Sequence, residues 1–137
     1  MPTYTAPPFD PELGAALDLV AGIIPPTFTP EMIPLMREMP FDPAFDELVA
    51  SVGAVHEERT IPGCNGDEIV VSIYRRPGQD TAGPGIYHIH GGGMVIGNRF
   101  AGVQSFLPFV ASHGAVIVSV EYRLAPEFPD PVPVEDC

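Results

Sequence analysis

Apolar residues recur at helical spacing through the first fifty or so positions, then change near Gly53 to the alternating and continuous runs typical of strands. Asp10, Pro11 and Glu12 combine a side-chain cap, a residue suited to the first helical position and an acid that complements the helix dipole. Leu13, Ala16, Leu17 and Val20 follow at helical spacing, and Gly22 and Pro25 end the stretch. Thr29, Pro30 and Glu31 repeat the start signal. Asp42 and Pro43 do so again ahead of Phe45, Leu48, Val49 and Val52, with Gly53 as the stop. The pattern predicts three short helices with proline-rich joints in residues 1–53.

Beyond Gly53 the period is that of strands. Val55 to Ile61 and Ile69 to Arg75 flank the turn-forming run from Gly63 to Asp67, which predicts an antiparallel hairpin. Gly85 to His90 and Ala115 to Tyr122 are continuous apolar runs and read as buried strands. Between them lie a glycine loop and a helix expected over Phe100 to His113, stopped at Gly114. This strand, loop, helix, strand order implies a right-handed parallel crossover and an α/β fold class. Asp130 and Pro131 look like the start of one more helix, with only a few residues before Cys137.

Composition narrows the function classes. At 137 residues, with 45% apolar and 18% charged, the chain can bury a core despite its 18 prolines. Its net charge is −12 and its six basic residues are all arginines, at 37, 59, 75, 76, 99 and 123. A surface this acidic, without a basic stripe, argues against nucleic acid and against electrostatic docking on anionic membranes. Cys64 and Cys137 lie far apart and outside any CxxC pair, so a zinc cluster or disulfide framework is not expected and a reduced, cytoplasmic setting is. The first thirty residues lack a signal-peptide pattern. Phe100 to Val120 is uncharged, yet Gln104, Pro108, His113 and Gly114 interrupt it, so a helix and strand are expected there in place of a membrane span.

The candidate chemistry lies in His90, Gly91, Gly92 and Gly93, directly after an apolar run, with Gly97 four residues on. A dinucleotide fingerprint would need glycine where Ile96 stands, and a phosphate loop would need lysine where Asn98 stands. What survives is an oxyanion loop, in which residues without a Cβ bring unpaired N–H groups close to a substrate oxygen. A tight structural turn is the alternative. His88 and His90, spaced i and i+2, would point to the same face of a strand and could ligate a metal, but no carboxylate or third histidine is nearby in sequence.

HIHGGG at 88–93, followed by VEYRLAPEFPDPVPVEDC at 120–137 and preceded by ERTIPG at 58–63, resembles the hormone-sensitive lipase branch of the α/β-hydrolases, that is, bacterial family IV carboxylesterases. The resemblance implies the amino-terminal part of an α/β-hydrolase sheet at 54–137 and cap helices over an acyl pocket at 1–53. It implies that Gly91 and Gly92 give backbone N–H groups to the oxyanion hole, that His90 and Gly93 support the loop, and that Tyr122 to Glu127 packs beneath it. Met94 stands where relatives often carry an aromatic residue. No metal or organic cofactor is implied.

Such relatives carry their nucleophile on a GxSxG elbow, with an acid and a histidine later in the chain. None of the serines at 51, 72, 105, 112 and 119 has that setting, and His88, His90 and His113 all precede where the elbow would fall. No triad residue is therefore assigned within this chain. The expected function is a contribution to a serine carboxylesterase acting on short- to medium-chain esters, completed by a complementary carboxy-terminal polypeptide that also covers the bare edge of the strand at 85–89. The alternative is an inert truncated relative serving as a binding or interaction module.

Overall fold

The computed structural model describes residues 7–20, 27–38 and 44–137. The chain divides into two compact units, residues 1–33 and 34–137. In the first, helix α1 (Pro11–Val20) starts as its sequence dictates: one Asp10 carboxylate oxygen accepts from the amides of Glu12 at 2.9 Å and Leu13 at 3.3 Å. A single 3-10 turn follows Thr29 over Pro30–Met32. The stop signals at Gly22 and Pro25, and the start signal at Asp42 and Pro43, lie outside the described residues.

Helix α2 (Ile33–Arg37) begins at the last residue of the first unit; in the second, α3 (Phe45–Ser51) ends where expected, with Gly53 at φ +69°. Strands β1 (Val55–Pro62) and β2 (Glu68–Arg75) form the antiparallel hairpin, in register from Val55 opposite Arg75 to Pro62 opposite Glu68. Its turn closes where the Gly63 amide donates to Asp67 at 2.7 Å, and Asn65 and Gly66 take the positive φ angles of 58° and 81°. Strand β3 (Gly85–Ile89) runs parallel to β4 (Val116–Glu121), which lies antiparallel to β2, giving a sheet of order β1-β2-β4-β3. A mixed sheet with helices packed on it bears out the α/β class.

Three expectations change here. The helix expected over Phe100 to His113 is reduced to α4 (Leu107–His113), preceded by a 3-10 turn at Val103–Ser105. Gly102 at φ +90° breaks the run, and Pro108, which lacks an N–H and clashes inside a helix, is tolerated only because α4 begins just before it. Gly114, at φ +64°, caps the helix as anticipated. Strand β3 is also not buried like β4, although it has the bare edge expected of it. It is the edge of the sheet, ends at Ile89 without reaching His90, and leaves Tyr87 50% and Ile89 51% exposed. The last helix, α5 (Val132–Glu135), starts after Pro131, one residue later than the Asp130 cap would have it.

The core lies on both faces of the sheet. On one, Phe45 and Val49 of α3 and Leu107 and Val110 of α4 close over Tyr74 and Ile117. On the other, Ile69, Val71, Val120 and Tyr122 cluster with Leu124. Fully buried side chains such as Leu107 and Ile117 each contribute roughly 1.5–3 kcal/mol relative to exposure. Among the described residues no helix is long and apolar enough to cross a membrane.

Candidate functional site

The loop after β3 is built so that its carbonyls face inward. The His90 carbonyl accepts from the Tyr122 hydroxyl at 2.8 Å, and the Gly91 carbonyl lies 2.9 Å from His90 Nδ1. The Gly92 carbonyl accepts from the amides of both Val95 and Ile96 at 3.1 Å. In a trans peptide the N–H points opposite to the C=O. Holding these three successive carbonyls therefore aims the amides of Gly91, Gly92 and Gly93 the other way, and none of the three donates a hydrogen bond within the described residues. All three glycines are exposed.

Backbone conformation explains the residue types. Gly92 has φ +123° and Gly93 φ +63°, a region that L side chains rarely adopt. A Cβ on Gly92 would collide with the Ile96 carbonyl, and one on Gly97 would sit 2.5 Å from both the Gly91 carbonyl and His90 Nδ1. Met94, a side chain with no such licence, also holds φ +62°.

His90 is 3% exposed, and its ring stacks on Tyr122 with centroids 4.2 Å apart. Because Nδ1 faces a carbonyl it carries the proton, which leaves Nε2 as a buried acceptor without a partner in the described residues. Beside it opens an apolar depression of about 330 Å³ lined by Ile89, Met94, Tyr122 and Val134. Tyr122→Phe removes the hydroxyl that holds the His90 carbonyl while keeping the ring stack. The expected result is a loss of about 1 kcal/mol in chemical denaturation and faster hydrogen exchange at residues 90–93.

The two histidines do not share a face, contrary to the i, i+2 expectation. His88 meets Ser119 at 2.9 Å and packs against Phe106, whereas His90, beyond the strand end, joins Tyr122 in the opposite cluster. Since the Ser119 hydroxyl donates to the Arg99 carbonyl at 2.6 Å, His88 Nδ1 must donate to Ser119. Burial holds the His88 imidazole below its ordinary pKa, so it is neutral near pH 7. Both rings thus have structural partners.

The loop is tied down by residues to which the periodicity gave no role. At its far end Arg99 donates through its backbone N–H and one terminal nitrogen to Glu121 at 3.1 and 3.0 Å, through Nε to Ser72 at 2.9 Å, and also to Glu58. Near its middle Arg37 donates through Nε to the Val95 carbonyl at 2.9 Å. The segment from Tyr122 to Glu127 packs against the loop, as the resemblance implied, through the Tyr122 hydroxyl and an Ala125 amide that donates to the Met94 carbonyl at 2.9 Å.

A family model described as alpha/beta hydrolase fold matches residues 86–137, the stretch that holds β3, the loop, β4 and α5. Carboxylesterase NlhH of Mycobacterium tuberculosis is 32% identical over 144 aligned positions, which cover 98% of this chain and 41% of that protein. Among solved structures, an esterase of Pyrobaculum calidifontis superposes with a TM-score of 0.64 at 32% identity, covering 94% of this chain and 40% of the other. A bacterial heroin esterase does so with a TM-score of 0.67 at 30% identity, covering 93% and 40%. The chain spans about two fifths of the length of these relatives. In fold and in its similarity to these esterases, the chain belongs to the α/β-hydrolases and corresponds to the amino-terminal part of one of the hormone-sensitive lipase type.

Proposed function

We propose that these residues furnish the oxyanion-stabilising part of a serine carboxylesterase that cleaves esters of short to medium acyl chains. The observation that carries this reading is the outward set of unpaired amides created by the inward-held carbonyls of His90, Gly91 and Gly92. In this reading Gly91 and Gly92 are the donors, and His90 and Gly93 shape the loop. When a serine alkoxide adds to the ester carbonyl, negative charge moves onto the carbonyl oxygen. Donors already fixed in place stabilise that charge without reorienting. Collapse expels the alcohol and leaves an acyl-serine, which water then hydrolyses. Relatives described as esterases support the reading.

No GxSxG run occurs in the 137 residues, so in this reading the nucleophile, its acid and its histidine lie outside them. No cofactor enters the scheme. The test is hydrolysis of p-nitrophenyl acetate, butyrate and decanoate by purified material in which the mass of every polypeptide has been determined. Activity accompanied by sequence containing a serine elbow is the expected result. A single inert chain of these residues would favour an interaction module instead, for which the half-exposed Tyr87 and Ile89 on the edge strand speak.

A further inference from the structure

We infer that Arg37 is a positioning residue for the oxyanion loop. The inference rests on the esterase reading and adds to it a side chain 58 positions before the backbone group it holds. The Arg37 guanidinium has three partners: the Val95 carbonyl through Nε at 2.9 Å, the Ala125 carbonyl through a terminal nitrogen at 2.6 Å, and the Glu127 carboxylate through both terminal nitrogens at 3.1 and 3.0 Å. Glu127 is held charged by this pairing, its carboxyl lying below the usual range because Arg37 hydrogen-bonds to it.

The consequence for the loop follows from peptide planarity. Val95 C=O and Ile96 N–H share one peptide plane, so holding that carbonyl on Arg37 directs the N–H toward the Gly92 carbonyl. Met94 C=O and Val95 N–H share the plane before it, and the Met94 carbonyl is held by the Ala125 amide, in the segment that Arg37 grips through the Ala125 carbonyl and Glu127. Both donors that fix the Gly92 carbonyl are therefore anchored from behind, and through that carbonyl Gly92 is kept at φ +123°. The task needs a planar fork with separate donors on Nε and the terminal nitrogens. Lysine, a point charge on a flexible stem, cannot meet all three partners at once.

The test compares the wild type with Arg37→Ala and Arg37→Lys in material that carries esterase activity. In Arg37→Ala, amide exchange should rise about tenfold in peptides covering 90–98 and stay unchanged in the β1–β2 hairpin. The kcat for p-nitrophenyl butyrate should fall about 10- to 100-fold with KM nearly constant, since the loss falls on the transition state. Millimolar guanidinium, too dilute to denature, should restore part of kcat in Arg37→Ala, and Arg37→Lys should recover little. Unchanged exchange in 90–98, equal acceleration in the hairpin, an unchanged kcat, or a kcat loss that guanidinium does not relieve would each overturn the positioning role. Failure to find esterase activity in any material that contains these residues would instead overturn the esterase reading, and the positioning role with it.

Discussion

Asp136→Ala is expected to lower the unfolding free energy by about 3 to 5 kcal/mol, the loss typical when one partner of a buried ion pair is removed. The Asp136 side chain is wholly buried and that of Arg123 is 15% exposed. The carboxylate accepts four hydrogen bonds: from the Cys64 amide at 2.9 Å, the Arg123 amide at 3.1 Å, and Arg123 Nε and a terminal nitrogen at 2.8 Å each. It thereby ties the end of α5 to the hairpin turn and to the segment leaving β4. Without it the Arg123 guanidinium keeps the largely exposed Asp67 carboxylate, the Cys64 carbonyl and the face of the Phe128 ring, and the buried Cys64 amide and the part-buried Arg123 amide lose their acceptor. Asp136→Asn, which keeps one acceptor oxygen and loses the charge, should cost roughly half as much. Denaturant titration with an unchanged m-value is the measurement, and an Asp136→Ala loss under about 1 kcal/mol would refute the assignment.

The same carboxyl supplies a pH signature. Hydrogen bonds from Arg123 pull its pKa from 3.8 to about 2, against the opposing effect of burial. A depressed carboxyl pKa adds stability above its unfolded value and loses it as pH falls through the folded one. The contribution, about 2 kcal/mol, should thus be complete above about pH 4 and fade toward pH 2. Asp136→Ala should lose correspondingly less stability than the wild type over that interval.

Strands, hairpin and glycine loop were legible because each is written in adjacent residues. Alternation set β1 and β2, Asn65 and Gly66 supplied the positive φ angles of the turn, and Gly114 ended α4. The late start of α4 is marked in the sequence too, by Pro108, which fits only the first turn of a helix. Other features depend on partners distant in sequence. An apolar run such as Gly85 to Ile89 is the same string whether the strand is buried or half exposed, and its bare edge followed from the resemblance and not from the run. Arg37 and Arg99 carry no periodic signal, since their bonds reach carbonyls and carboxylates far along the chain. The separation of His88 from His90 turned on where β3 ends, a boundary that spacing does not mark.

Gly92→Ala should depress kcat by at least about 100-fold, whereas Gly91→Ala should leave it within a few-fold of the wild type. Both variants keep every backbone N–H, so the contrast isolates donor direction from donor number. At position 91 a Cβ meets nothing within 4 Å, and φ there lies outside the left-handed region. At position 92 φ is +123° and the added carbon strikes the Ile96 carbonyl, so the chain must leave that conformation and release the Gly92 carbonyl from Val95 and Ile96. The peptide planes on either side of Gly92 then rotate, and the amides of Gly92 and Gly93 lose the directions that their held carbonyls had set. Steady-state kinetics on a p-nitrophenyl ester, with KM reported separately from kcat, distinguishes this from crowding of the substrate, which would raise KM in both variants. A Gly92→Ala enzyme with wild-type turnover would mean that the direction of these amides has no bearing on the reaction, and the oxyanion reading would fall with it.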